Sequence, residues 1–258
     1  MQAAKAIAWA RDLPIVGVDH LVGHLFAVYL RRGEDDPPQP ELPYVALLVS
    51  GGHTAIYEVT APGEAVILGQ TRDDAAGEAF DKVAKLLGLG DPGGPVVDRL
   101  AAKGDPRAIE LPIPMSSRRT LDFSFSGLKT AVARHVEAHG VPTGEAAMAD
   151  LCASFQRSVT RVLARKAVHA CVQRGIPRLV LGGGVAANRG LRETARRLCA
   201  KHEVALFVPP LASCTDNAAM IAYAGAMRLA AGERDDLDLT AYSRSPDLRR
   251  GKFPKRRS

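Results

Sequence analysis

Twice in this 258-residue chain a short, dense apolar run breaks directly into glycines. Tyr44 to Val49 runs into Ser50-Gly51-Gly52-His53-Thr54, and Arg178 to Leu181 runs into Gly182-Gly183-Gly184. Each run reads as a strand, and each glycine cluster as a turn whose backbone can closely approach another group. After the second turn Asn188 opens a helix, a strand covers Ala205 to Val208 up to Pro209-Pro210, and a helix begins near Thr215. Strand and helix in alternation after residue 143 predict an α/β lobe.

The earlier part reads as helix (Ala3 to Arg11), buried strand (Ile15 to Val18) and a helix carrying Leu21, Leu25, Val28 and Tyr29. A helix running into a strand with no partner elements implies a start inside a domain. Gly33 to Pro43, rich in proline and acid, is a loop. Ala55 to Val59 forms a hairpin with the first glycine-ended strand. Asp73 to Leu87 has helical spacing, Asp91 to Pro95 breaks it, and Val96 to Ala102 resumes helix. Thr143 is a candidate N-cap for a long helix striped by Met148, Leu151, Cys152, Phe155, Val159, Val162 and Leu163, ending near Gly175.

An apolar content of 47% supplies a sizeable core and excludes overall disorder. No apolar run approaches the roughly 20 residues of a membrane span, and no secretory signal opens the chain, so a soluble cytoplasmic protein is expected. The four cysteines are far apart, which points to buried thiols, not a disulfide framework or a thiolate zinc site. The net charge of +6 lies in the tail: from Arg244 onward there are seven basic residues against Asp247, leaving 27 of each sign elsewhere. The tail therefore reads as a phosphate-seeking arm or as a solvated terminus.

Four constellations could carry chemistry. His20 and His24, at i and i+4 of a helix, share one face and could share a metal ion, although so short a motif also arises by chance. Asp216, at a strand-to-helix junction, is either a helix cap or a third ligand. Two imidazoles and a carboxylate leave open coordination positions, a pattern that suits Fe(II), with Zn or Mn as further options. The two glycine turns are either tight turns or phosphate cradles, and neither has the P-loop or dinucleotide spacing. Asp74, Glu78 and Asp81 give one helix an acidic face, read from spacing alone as solvated. Asp122 to Thr130 gathers hydroxyls and a lysine around a turn suited to substrate contact.

In order along the chain, His20-Leu21-Val22-Gly23-His24, Leu47 to Thr54, Asp74 to Leu89, Phe123 to Thr130, Gly182 to Arg189 and Cys214 to Tyr223 resemble the TsaD family. These are the tRNA adenosine threonylcarbamoyltransferases of the actin-like ATPase superfamily, and the resemblance covers about Ala3 to Tyr242. It implies an α/β, actin-like (ASKHA) two-lobed fold with the N-terminal lobe incomplete, because the family's opening strand and phosphate turn have no counterpart after Met1. Residues 1–40 would be the remnant of the first lobe and 41–232 the second, with a helical insertion over about 72–140. Residues 233–258 would be a C-terminal segment and basic tail.

The resemblance also implies one divalent metal ion, Fe(II) first and Zn second, on His20, His24 and Asp216. Leu48, Val49, Ser50, Gly51, Gly52, Asp81, Gly94, Asp98 and Asn188 would hold an adenylate. The implied reaction moves the threonylcarbamoyl group of threonylcarbamoyl-AMP to the 6-amino group of an adenosine in the tRNA anticodon loop, in tRNAs reading codons that begin with A. The implied partners are tRNA and TsaB-like and TsaE-like accessory proteins, with no membrane. No residue is assigned as general base. Two alternatives stand beside this reading: a small-molecule carbamoyltransferase of the same fold, and a non-catalytic assembly partner.

Overall fold

The computed structural model describes residues 1–31, 33, 36–61, 64–117, 119–241 and the backbone of 249–250. In chain order the elements are α1 (Gln2–Ala10), α2 (His20–Phe26) with a 3-10 continuation Ala27–Tyr29, β1 (Tyr44–Val49), β2 (Thr54–Ala61), β3 (Glu64–Gln70), α3 (Ala76–Leu86), α4 (Gly93–Ala101) and α5 (Ser126–His139). They continue with α6 (Glu145–Arg174), β4 (Arg178–Gly182), a 3-10 turn Gly184–Ala187, α7 (Arg189–Lys201), β5 (Ala205–Phe207), α8 (Leu211–Cys214), α9 (Ala218–Ala230) and the two-residue β6 (Arg249–Arg250).

One sheet runs in the order β5-β4-β1-β2-β3-β6. Its centre, β1, is buried at all six positions, antiparallel to β2 and parallel to β4. Successive side chains of a strand point to opposite faces, and β1 divides accordingly. Val45, Leu47 and Val49 join the core built with α3 and α6, while Tyr44, Ala46 and Leu48 join the core built with α2 and Ala224 of α9. A strand covered on both faces reads as a continuous apolar run, which is why its sequence shows no alternation.

Helix α6 explains itself similarly. Eighteen of its thirty residues are buried, so its apolar positions surround it instead of forming one stripe. Phe155 meets Phe80 of α3 edge to face, ring centres 5.2 Å apart. Its N-cap is Gly144, and not Thr143 as the spacing predicts; Gly175 ends it in the left-handed conformation, φ 67°, as glycine after a helix commonly does. All four cysteines are buried free thiols.

Three further expectations need correction. Ile15 to Val18 is half-buried and not a strand: Ile15 forms one bridge to Asp235, and the Asp235 carboxylate accepts the Gly17 N–H at 2.7 Å. That segment reaches no sheet edge, because the chain at 235 satisfies its backbone instead. Strand β3 has no counterpart in the sequence reading, in part because Gly69 interrupts it; a Cβ there would stand 2.4 Å from the Leu121 backbone, so the glycine admits a crossing segment. The hydroxyls of Ser124 and Ser126 both donate to Asp73, and the same carboxylate also accepts the Phe125 N–H at 2.8 Å. Burial pushes the Asp73 pKa up, but these hydrogen bonds outweigh it and hold the carboxyl below its ordinary value.

Lys166, buried on α6, donates from Nζ to the Asp122 carbonyl and lies 5.4 Å from the centre of the Phe123 ring. Burial pushes its pKa from 10.5 down to about 8, opposed by the Asp122 charge and aided by Arg72. Between those values the unfolded chain binds more protons than the folded one, so this lysine's contribution to stability rises with pH across the window. Below the window the penalty is complete, on the order of 3 kcal/mol. Relative to Lys166→Met, the wild type should gain roughly 2 kcal/mol in urea unfolding between about pH 7 and pH 10. The comparison with the variant cancels buried thiols such as Cys171, which burial raises to about 12 and which act in the opposite direction. A difference that stays constant with pH would refute the assignment.

Candidate metal centre and the glycine turns beside it

The centre is assembled from opposite ends of the chain. Asp19 accepts the N–H groups of Leu21 (2.7 Å) and Val22 (3.1 Å), which starts α2 at His20. One helical turn then sets His20 and His24 on the same face, their rings edge to face with centres 4.9 Å apart. Between them, a Cβ on Gly23 would stand 2.8 Å from Ile221 Cδ1 and 3.3 Å from Met220 Cγ, so the glycine lets α2 lie close against α9. Helix α9 is capped by Asn217, whose Oδ1 accepts the Met220 N–H at 3.0 Å. Asp216 is therefore not the cap, and its Oδ1 lies 2.9 Å from His24 Nε2 and 3.3 Å from His20 Nε2.

The donor set fits a divalent ion. The three ligand atoms lie within 4.8 Å of one another, and donors on neighbouring vertices around an ion with bonds of about 2.0–2.2 Å stand roughly 3 Å apart. His24 is buried (1% exposed) and its Nδ1 has no hydrogen-bond partner among the described residues, so all of the ring's polar engagement is on the Nε2 side. Burial lowers its pKa most; the Asp216 hydrogen bond opposes, and the charges of His20 and His53 assist. The net lowering favours the neutral imidazole that a metal requires. His20 and Asp216 are exposed (52% and 76%), so the site opens on one side.

The glycine turns lie next to it. Leu48 of β1 pairs with Gly182 of β4, so both turns leave the carboxyl ends of adjacent parallel strands, where α/β sheets bind ligands. A Cβ on Gly182 would stand 3.4 Å from the His24 carbonyl, which ties the second turn to α2. Gly77 opens α3 directly over the first turn: a Cβ there would be 2.5 Å from the Ser50 carbonyl oxygen. Around Gly51, Gly52, Gly94 and Gly184 an added Cβ would meet nothing within 4 Å, leaving backbone open to a ligand.

The remaining predicted residues are placed unequally. Leu48 and Val49 are core, and Ser50 caps its own turn by accepting the His53 N–H at 3.1 Å. Asp81 accepts the Gly93 N–H at 2.9 Å, so it orders the start of α4 instead of facing water. Asp74 and Glu78 both pair with Lys82, each at 2.7 Å. Asn188 is 8% exposed and committed to the Leu191 N–H (2.9 Å) and to Gln156 (2.7 Å). Asp98 holds Arg189 at 3.0 Å. Two residues escaped the sequence reading: Arg189, a cation opening a helix behind its asparagine cap, and His53, whose charge reaches His24.

This sheet and its helices match HypF of T. kodakarensis with a TM-score of 0.64 at 15% identity, covering 89% of the chain and 39% of that protein. A full-length HypF in a phosphate- and nucleotide-bound form matches with a TM-score of 0.58 at 13% identity, covering 84% of the chain and 36% of HypF. The architecture is that of the actin-like ATPase fold. Residues 1–223 match the model of the TsaD family, tRNA N6-adenosine threonylcarbamoyltransferase. The family's Sorangium cellulosum member is 62% identical over 253 residues, which span 95% of the chain and 71% of that protein. A member from Anaeromyxobacter dehalogenans is 54% identical over 242 residues, spanning 93% and 71%. The chain belongs to the TsaD family.

Proposed function

We propose that the chain transfers a threonylcarbamoyl group from threonylcarbamoyl-AMP to the 6-amino group of an adenosine in tRNA. The carrying observation is the cluster of His20, His24 and Asp216 beside two glycine turns, in a chain of the TsaD family. Those three side chains would hold one divalent ion; two imidazoles and a carboxylate with open positions favour Fe(II), with Zn second. Such an ion supplies Lewis-acid polarisation of a carbonyl oxygen. The chain's own residues do the rest. The open backbone of Gly51, Gly52 and Gly94 and the Arg189 guanidinium would receive the adenylate, with Leu48, Val49, Ser50, Asp81, Asp98 and Asn188 fixing those groups in place.

The lobe division at residue 40, the helical insertion over about 72–140, the C-terminal segment over 233–258, a cytoplasmic location and TsaB-like and TsaE-like partners belong to the same proposal. No helix among the described residues is long and apolar enough to cross a membrane.

The test is complementation. Cells lacking their own threonylcarbamoyltransferase gene receive this chain, and nucleosides from their tRNA are analysed by mass spectrometry. Threonylcarbamoyladenosine should return. Its absence, when the Sorangium relative restores it in the same cells, defeats the reading.

A further inference from the structure

A groove of about 1080 Å³ runs between α4, α6 and α7, with the Asp98–Arg189 pair in its lining. Arg157, Arg161 and Arg165 of α6 line one side, and Arg197 and Lys201 of α7 line the other. Among the described residues only two carboxylates share the lining, Asp98 and Glu193, and Asp98 is taken by Arg189. Arg161, Arg165, Arg197 and Lys201 form no ion pair among the described residues. Like charges brought together repel one another even in water. A fold that gathers such charges without internal partners is complementary to an anion.

We infer that this groove is a track for the phosphate backbone of RNA, an inference that rests on the tRNA reading above. Three observations favour RNA over an acidic protein. Residues four apart on a helix rise about 6 Å, so Arg157, Arg161 and Arg165 form a ladder commensurate with successive phosphates of one strand. The described residues of the lining include no Phe, Tyr, Trp or Met, the side chains that anchor protein partners. Hydroxyls at Ser116, Ser117 and Thr194 stand among the cations and suit phosphate oxygens. The three α6 arginines spring from a helix buried along most of its length, so the spacing of their Cα atoms is fixed before anything binds.

The test measures binding of an unmodified tRNA transcript to the full chain by fluorescence anisotropy over a range of salt concentrations. Arg161→Gln with Arg165→Gln should weaken binding roughly tenfold and flatten the slope of log K against log salt by about 1.5. Arg197→Glu, at an exposed position on α7, should weaken it too and serves if the α6 pair fails to fold by circular dichroism. Arg256→Gln with Arg257→Gln, in the basic tail, should have the smaller effect. Unchanged binding by both groove variants overturns the track and leaves the tRNA reading intact, as does a loss seen only with the tail pair. A wild type that ignores the transcript overturns both. A polyglutamate probe that binds as tightly as RNA, through the same arginines, makes the groove an acidic-protein seat and overturns the inference.

Discussion

Asp216→Ala should abolish metal-dependent stabilisation at a smaller cost to the metal-free protein. The carboxylate is 76% exposed and caps no helix, but it is the hydrogen-bond partner of the buried His24 ring, so its removal in the absence of metal should cost about 1 kcal/mol. An ion bound only by the folded state stabilises it by RT ln(1 + [M]/Kd), about 2.7 kcal/mol at a concentration 100 times Kd. Outer-shell partners change metal affinity by about 10–100-fold, and losing a direct ligand should exceed that range. Thermal melts with and without added Fe(II), under anaerobic conditions, or Zn would read the effect. An Asp216→Ala protein that still gains the full metal-dependent shift would rule this carboxylate out as a ligand. His24→Ala should also lose the shift, but its ring is buried, so the apo protein should suffer as well.

Gly183→Ala should be the most damaging single methyl in the second glycine turn. Gly183 has φ 82° and ψ 166°, a region that is essentially glycine-only. A Cβ there would stand 2.4 Å from the Val49 carbonyl oxygen and 2.8 Å from its carbon. Those atoms belong to the last residue of the central strand and cannot swing aside as a side-chain tip could. Backbone strain of about 1–3 kcal/mol plus the clash sets the expected loss at no less than about 3 kcal/mol, or roughly 6–12 °C in melting temperature. Gly184→Ala is the control, since its added methyl meets nothing within 4 Å, and it should melt close to the wild type. Equal melting of the two variants would show that the close approach to Val49 does not matter.

What the sequence discloses and what it hides follow from the range of the forces involved. The elements at β1, β2, β4, α6 and α7 are legible because apolar density, glycine stops and the Asn188 cap are local signals. The histidine pair is local too. Asp216 is not, since its neighbour Asn217 can cap α9 equally well from spacing alone, and only the packing of α2 on α9 decides between them. Asp81 looks like a free polar group in a linear reading but is engaged by Gly93, 12 positions away, and the bond from Asn188 to Gln156, 32 positions away, is equally invisible there. Charge was the least legible. An even count of acids and bases outside the tail suggests a neutral body, yet the fold pairs many of the acids elsewhere and leaves arginines of α6 and α7 facing one another.

The separation of His24 from Asp216 by 192 positions also orders events during synthesis. At roughly 5–20 residues per second, the carboxylate leaves the ribosome on the order of 10 s after the imidazoles. Throughout that interval the nascent chain has two of its three donors. On the proposed reading, completion of the three-donor centre would mark a polypeptide that has been read past Asp216 and has docked α9, and a product terminated earlier would lack one of the ligands.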